Sequence, residues 1–302
     1  MLYAILAYLL WGAFPAFFPL LEPASPMEIL AHRIIWTAVF LAGLITVTRK
    51  WPELRKADRT QWLLIASAAV LIAANWGVYI LAVNSGHVNE AALGYFINPL
   101  VAVALGVVFY SERLSFLQKI SIGLAAGAVV LLMVLGGQPP VLGLVLAFTF
   151  GFYGLMKKRV LLSPIASLTA ETFVLLPVAL GYVLLTPSTF SSHGPGHAAL
   201  MVSTGIVTAV PLLLFGKAAK LVPLSAIGMV QYLTPSMQML WAVFVVHEHI
   251  SHARWVGFCI IWTAVVIYLV DSSIRTPRRP QDASMGALST TATDGSEAKD
   301  SR

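Results

Sequence analysis

Apolar residues fill this chain in long blocks, and short polar stretches separate each block from the next. A helix needs roughly 17 to 25 residues to cross the hydrocarbon core of a membrane. Ten blocks approach that length: 3–21, 28–48, 61–83, 90–110, 117–135, 140–156, 165–185, 198–216, 223–246 and 253–271. The pattern therefore predicts an all-α integral membrane protein with ten transmembrane helices.

Two of these blocks share the same order of turn residues, proline and glutamate. In the stretches YFINPLVAVALGVVFYSERLS and QYLTPSMQMLWAVFVVHEHIS, a proline precedes a glutamate by thirteen residues. The pairs are Pro99 with Glu112 and Pro235 with Glu248, and an offset of 136 residues relates them. Both glutamates follow the end of an apolar block, so we interpret them as turn or helix-capping residues.

The repeat predicts how the chain is organised. Residues 1–136 and 137–271 each hold five predicted helices, and residues 272–302 form a tail. An odd number of crossings inverts the second copy, which gives two inverted five-helix repeats and one binding site near the midplane. With a two-residue adjustment, SPMEILAHR lies over SPIASLTAE, which places Arg33 on Glu171. The alternative is a chance match between helices rich in Leu, Ala and Val.

Composition supports the membrane class. Of the 302 residues, 58% are hydrophobic and 11% are charged, and no water-soluble fold of this size needs so much apolar surface. The single cysteine, Cys259, excludes a disulfide framework and a cysteine-based metal cluster, and we expect it to be a small core residue. The tail, 272–302, is rich in Ser, Thr, Asp, Ala and Pro and is predicted to be disordered.

The distribution of charge predicts the orientation of the chain. The formal net charge is +6, but the basic residues lie in short loops and form no aromatic-interleaved patch of the kind that binds nucleic acid. Cytoplasmic loops of membrane proteins are enriched in Lys and Arg. If the N-terminus is inside, the inward loops hold twelve basic residues, among them Lys157, and the outward loops hold only Arg254. Both termini are therefore predicted to be cytoplasmic.

Several stretches of the chain resemble the RarD group of the EamA-type drug/metabolite transporter superfamily. They are YLLWGAFPAFF, EILAHRIIW, NWGVYILAVNSGHVNEAALGYFINPL, FGFYGLMKKR, ETFVLLP, and GIVTAVPLLLF followed by QYLTP. The resemblance implies a ten-helix permease of the bacterial inner membrane, built from two inverted five-helix repeats, with no assigned catalytic chemistry. Members tend to carry a lysine late in the first helix, where this chain has Pro19. A lysine-based substrate anchor is therefore not expected there.

Two charged residues are the first candidates for a solute site. A charge at membrane depth is costly, so it normally faces a cavity or a partner. Arg33 lies five residues into the second block, beside His32, and Glu171 holds the matching place in the seventh. We predict that Arg33 and Glu171 line the central cavity near its two mouths and offer a cation and an anion to a zwitterionic or amphiphilic solute. Alternatively, each extends to its nearer interface or closes a structural pair.

Uncharged polar residues and prolines complete the candidate site. Asn75 and Tyr79 are four residues apart and share a helix face, which suits either a solute-binding wall or interhelical hydrogen bonds. Pro99 and Pro235 each free a main-chain carbonyl, which suits either a gate or a packed kink. The remaining cavity-lining candidates are His32, Trp36, Asn98, Gln231 and Tyr232.

These features predict a secondary transporter that moves a small metabolite or drug-like molecule across the inner membrane by alternating access. The sequence shows no paired-carboxylate motif, HExxH motif, nucleophile elbow or Walker motif, so we expect no enzyme activity, cofactor or metal. The alternatives are a membrane-embedded enzyme acting on a lipid and a passive channel. The expected partners are a small-molecule solute and the lipid bilayer, without nucleic acid, and a homodimer is left open.

Overall fold

The computed structural model describes residues 1–85, 87–136, 140–247 and 249–275. Within these ranges the chain forms thirteen α-helices and one 3-10 helix, and no strand. The helices are α1 (Leu2–Gly12), α2 (Phe14–Phe17), the 3-10 helix (Phe18–Leu21), α3 (Pro26–Val47), α4 (Trp51–Arg55), α5 (Arg59–Asn84), α6 (Val88–Tyr110), α7 (Phe116–Gly136), α8 (Val141–Arg159), α9 (Pro164–Leu185), α10 (Gly194–Leu221), α11 (Leu224–Gln231), α12 (Leu233–Phe244) and α13 (His252–Arg275).

Nine segments of the described chain are long and apolar enough to cross a membrane. They coincide with nine of the ten predicted blocks, so the prediction of an all-α, multi-pass membrane protein is confirmed. The remaining block, 223–246, contains α11 and α12, each shorter than a full crossing, and ten crossings therefore stay a prediction. The last helix continues through Arg275, beyond the predicted boundary at residue 271. Residues 276–302 of the predicted tail lie outside the described residues.

Two of the predicted helices are interrupted close to prolines. The block 223–246 was expected to be one helix, and this was wrong because α11 and α12 meet at Tyr232. Proline is tolerated in the first turn of a helix but breaks its interior, and the chain starts α12 two residues before Pro235. In the block 3–21, Pro15 and Pro19 likewise lie in the first turns of α2 and the 3-10 helix that follow α1.

Successive long helices run in opposite directions, so their connections fall on two faces of the bundle. One face holds the connections 48–58, 111–115, 160–163 and 222–223, around which Lys and Arg are concentrated. We call it the basic face, and we call the other side the opposite face. Helices α3, α6, α8, α10 and α13 begin at the opposite face, whereas α1, α5, α7, α9 and α11 begin at the basic face.

The helix contacts keep the same pattern when the two halves are exchanged. Helix α3 packs on α9, α7 on α13 and α6 on α11, and these are contacts between equivalent helices. Three further contacts have counterparts in the other half. The α6–α8 contact corresponds to α12–α1, the α5–α8 contact to α10–α1, and the α10–α3 contact to α5–α9. The Tyr232 hydroxyl also donates to the Phe96 carbonyl at 3.1 Å, across 136 positions, which is the predicted offset. Equivalent residues that touch lie beside the axis relating the halves.

Glutamates of the first half accept hydrogen bonds from main-chain N–H groups at the start of second-half helices. The pairs are Glu53 with Ser163 (2.7 Å), Glu90 with Leu142 (3.1 Å), and Glu112 with Leu224 (2.6 Å) and Ser225 (2.9 Å). The first N–H groups of a helix have no partner within it, and the positive end of the helix dipole favours a carboxylate. The interpretation of Glu112 as a capping residue is confirmed, whereas Glu248 lies outside the described residues.

Glycines allow the closest helix approaches. A Cβ atom at Gly205 of α10 would lie 2.7 Å from the Cβ of Trp36 in α3, and nearer still to the Trp36 carbonyl. Thr37 uses this approach to donate to the Gly205 carbonyl at 3.1 Å. By contrast, Cys259 on α13 is exposed, so its expected place in the core was wrong. Its side chain lies on a part of α13 that no described helix covers.

We predict that Gly205→Ala destabilises the protein by about 1 to 3 kcal/mol, because the added methyl group forces α10 away from α3. The measurement is the free energy of unfolding of the purified protein in mixed detergent micelles. Gly127→Ala is the matched control, since nothing lies within 4 Å of a Cβ atom at Gly127 of α7. Equal free energies of unfolding for the two variants would show that α3 and α10 can accommodate the added methyl group.

Candidate functional site

Helices α3 and α9 carry the two predicted charges, and both begin with a Ser-Pro pair. The hydroxyls of Ser25 and Ser163 accept the N–H of the residue three positions later, at 3.2 and 3.3 Å, and proline suits the first helical position. Arg33 and Glu171 each lie seven residues beyond the first residue of their helix, which is about 10 Å along the axis. Because the two helices start at different faces, Arg33 and Glu171 approach the interior from opposite sides.

Arg33 and Glu171 line the same internal cavity between α3, α5, α8, α9 and α10. The water-accessible volume of the cavity is about 20 Å³, which is room for about one water molecule. Its lining residues are Arg33, Ile34, Thr37, Ile72, Trp76, Tyr153, Leu168, Glu171, Thr172, Leu175, Thr208 and Leu212. The sequence thus paired two residues that the fold places at one cavity, although in this conformation the cavity is too small for a solute.

Glu171 forms a buried ion pair with Lys157, a residue that sequence reasoning placed among the loop charges. The Lys157 Nζ lies 2.7 Å from the Glu171 Oε1, and each side chain is 2% exposed. The Ser167 hydroxyl donates to the same oxygen at 2.6 Å, and the Tyr153 hydroxyl donates to Oε2 at 3.3 Å. Glu171 therefore closes a structural pair, the alternative left open above. The missed signal is two polar pairs at i and i+4 spacing, Tyr153 with Lys157 and Ser167 with Glu171.

Arg33 has a different environment. Its Nε donates to the Thr208 hydroxyl at 3.0 Å, and its guanidinium carbon lies 4.8 Å from the ring centre of Trp76. The rings of Phe18 and Phe14 lie at 5.2 and 5.9 Å. In the described part of the chain, no carboxylate forms a salt bridge with Arg33. Aromatic faces partly stabilise such a cation, but they leave its charge uncompensated.

The predicted residues His32 and Trp36 flank Arg33 along α3 and contact the connection from α9 to α10. The Trp36 indole donates to the Nδ1 of His32 at 3.2 Å. The ring of Phe190, from that connection, stacks on both, with centroids 4.9 and 5.8 Å away. The carboxylate of Glu28, one turn before His32, accepts three hydrogen bonds from residues 188 and 189. This connection therefore covers the opposite-face end of α3.

Asn75 and Tyr79 of α5 have separate surroundings. The Asn75 amide donates to the Leu146 carbonyl at 2.9 Å and to the Thr149 hydroxyl at 3.0 Å, so it ties α5 to α8. Tyr79 is 40% exposed, and its ring centre lies 6.0 Å from that of Tyr95. Both phenols lie within electrostatic range of the Arg33 guanidinium. Neither Asn75 nor Tyr79 lines the cavity of Arg33 and Glu171.

The other predicted residues gather where α1, α6, α11 and α12 meet. Gln231 accepts from the Tyr8 hydroxyl at 3.4 Å, and Tyr232 donates to the α6 main chain as described above. Asn98 is 2% exposed, and its Oδ1 has no hydrogen-bond partner among the described residues. Pro99 lies within α6, with its carbonyl against Gly228 of α11. None of these residues lines the cavity of Arg33 and Glu171.

A larger vestibule of about 560 Å³ lies between α6, α7, α12 and α13. Its lining includes Tyr95, Pro235, Gln238 and residues 249–251, so it opens toward the opposite face. Tyr95 lines this vestibule and does not line the cavity of Arg33 and Glu171. In the described chain no group of three His, Cys, Asp or Glu side chains is placed to hold a metal ion.

We predict that Lys157→Met lowers the free energy of unfolding by about 3 to 5 kcal/mol, because it leaves the buried Glu171 carboxylate without its cation. Denaturant titration in mixed micelles measures this change. The double variant Lys157→Met/Glu171→Gln is expected to recover most of the loss. Lys119→Met, on the exposed surface of α7, is the control. A double variant as unstable as the single one would contradict the ion-pair explanation.

Comparison with known proteins identifies the fold and the family. A solved crystal structure superposes with a TM-score of 0.72 over 89% of this chain and 96% of its own, at 16% sequence identity, which shows a shared fold alone. Protein RarD of Streptomyces exfoliatus is 46% identical, over 92% of this chain and 90% of its own length. The uncharacterised transporter YojE of Bacillus subtilis is 41% identical, over 88% and 92%.

A further transporter, from Pseudomonas aeruginosa, is 39% identical to the chain over 91% of its residues and 94% of the relative. The sequence profile of the EamA-like transporter family matches residues 1–134 and, a second time, residues 139–270. These matches extend over both halves of the bundle and over both charged helices. The chain therefore belongs to the EamA-like transporter family, as its RarD-like stretches predicted.

Proposed function

We propose that this protein is a secondary transporter that moves a small metabolite or drug-like molecule across the bacterial inner membrane by alternating access. The observation that carries the proposal is the small cavity between α3 and α9, which Arg33 and Glu171 line from opposite sides. The two helices are equivalents in the proposed inverted repeats 1–136 and 137–271. A site between inverted repeats can be exposed to each face in turn when one repeat moves against the other.

The distribution of open space fits one stage of such a cycle. The vestibule beside Tyr95 opens toward the opposite face, whereas hydrogen bonds of Glu112 and Glu53 join the halves at the basic face. Entry of a solute then requires the cavity to enlarge, and the break between α11 and α12 ahead of Pro235 gives a place for this motion. We assign Pro235 and its counterpart Pro99 to gating on this ground.

Two alternatives are less well supported. A lipid-modifying enzyme needs a nucleophile, a metal or a pair of catalytic carboxylates at a reachable site. In the described part of the chain, Glu171 is the one carboxylate at the cavity, and Lys157 engages it. A channel needs a continuous path, whereas the cavity here has room for only about one water molecule. The relatives reported above that carry a functional name are called transporters.

Transport can be tested before the solute is known. Proteoliposomes are loaded with an unlabelled polar metabolite extract of bacteria and diluted into an isotopically labelled extract. We expect one solute class to accumulate transiently above its equilibrium level by counterflow, because an exchanger couples the two fluxes, and mass spectrometry identifies it. Arg33→Gln is expected to reduce this signal at least tenfold, by about the strength of a hydrogen bond to a charged group.

The control for this variant is Arg159→Gln, which removes the same charge at the exposed end of α8 and is expected to transport normally. Protein-free liposomes set the background. Simple dissipation of the gradient would indicate a channel, and a chemically altered solute would indicate an enzyme. If no solute exceeds the background, the proposal fails.

We also propose that the basic face is cytoplasmic, so that both termini lie inside, because the loops of that face concentrate Lys and Arg. The natural cysteine is first removed by Cys259→Ser. We expect Ser191→Cys, in the exposed connection of the opposite face, to react with a membrane-impermeant maleimide in intact spheroplasts. Lys56→Cys, at the basic face, should react only after lysis. The reverse pattern would contradict the orientation.

A further inference from the structure

The wall of the cavity carries an uncompensated positive charge. Glu171 is neutralised by Lys157 at 2.7 Å, whereas Arg33 has no salt-bridge partner in the described chain. The other carboxylate of α3, Glu28, is bound to the Ser188 and Thr189 groups and does not line the cavity. The net charge at the cavity is therefore positive by the one unit of Arg33. A solute that balances this charge must itself carry one negative unit.

The hydrogen bonds of Arg33 leave its anion-binding atoms available. Only Nε has a hydrogen-bond partner among the described residues, the hydroxyl of Thr208. The two terminal amino groups of the guanidinium, which together match the two oxygens of a carboxylate, have none. An unbalanced cation in a low-dielectric interior is costly, so an anion that reaches these groups gains both charge compensation and two hydrogen bonds.

The rest of the cavity wall disfavours a second charged group on the solute. Its other lining residues are mostly apolar, including Ile72, Trp76, Leu175 and Leu212. Among the described residues, Glu171 is the only carboxylate on the wall, and it already accepts from Lys157, Ser167 and Tyr153. An ammonium group would have to displace Lys157 from it. A zwitterionic solute therefore fits this wall poorly, in contrast to one option considered from the sequence.

We propose that the substrate is an organic monoanion, with one carboxylate held by the guanidinium of Arg33 and an apolar body against the aliphatic residues and Trp76. This inference rests on the proposed transport function, because it assigns the same cavity as the substrate site. An inorganic anion could also bind the guanidinium of Arg33, but it has no apolar part to contact the aliphatic residues and Trp76. Experiment distinguishes an organic from an inorganic anion.

The test compares four probes that share one ring and differ in head group: benzoate, benzamide, benzylamine and the zwitterion phenylglycine. Radiolabelled benzoate is bound to the purified full-length protein in nanodiscs of phosphatidylcholine, which carries no net charge, and the other three probes and inorganic phosphate compete. We expect benzoate to bind at least tenfold more tightly than each competitor, phosphate included, since phosphate lacks the apolar body. In Arg33→Gln the affinity for benzoate should fall about ten- to hundredfold, as for loss of a charge-assisted hydrogen bond.

Two further variants control for folding and for general charge. Arg33→Lys keeps the charge without the planar fork and is expected to bind benzoate with intermediate affinity, while Arg159→Gln should bind it normally. The inference is overturned if benzoate does not bind at millimolar concentration, if any competitor equals it, or if Arg33→Gln retains the affinity. Counterflow of neutral or cationic metabolites alone would leave transport standing and remove this substrate class. Benzoate binding without any counterflow would remove transport and leave the anion site.

Discussion

The structure depends on one constraint, which is that main-chain N–H groups at the start of a helix need an acceptor when little water reaches them. Glu53, Glu90 and Glu112 meet this need for helices of the other half. Each such hydrogen bond joins the halves at a helix terminus. The first half therefore supplies the acceptors that the first N–H groups of second-half helices require. The described glutamates therefore act mainly as structural acceptors, and the chemistry of the site falls to very few charges.

Those few charges follow the same rule of compensation. The charges of Lys157 and Glu171 cancel within a network that also includes Ser167 and Tyr153, so this side of the cavity carries no net charge. Arg33 is held by Thr208 and by aromatic rings, which orient the guanidinium without neutralising it. Among the described residues, the wall of the small cavity therefore carries one uncompensated charge, that of Arg33.

Sequence reasoning recovered the features that depend on long-range periodicity. Apolar block length predicted the nine long apolar segments of the described chain, and the repeat paired Arg33 with Glu171, which line one cavity. It missed Lys157 because a lysine near a helix end is usually solvated, and only tertiary packing shows that its side chain reaches Glu171. It also missed the division at Tyr232 and the exposure of Cys259. The first depends on where a new helix starts relative to a proline, and the second on which face of α13 has a neighbour.

The hydrogen bond from Tyr232 to the Phe96 carbonyl has a consequence for the balance between the two halves. The two residues hold equivalent positions in the repeat. If the two halves exchanged conformations, the side chain of Phe96 would have to donate the hydrogen bond that Tyr232 now donates. A phenylalanine ring has no hydroxyl, and one hydrogen bond of about 1 kcal/mol is lost in that exchange. In the proposed alternating-access cycle, two conformations related by the repeat would therefore differ by this bond, which corresponds to roughly a fivefold difference in population.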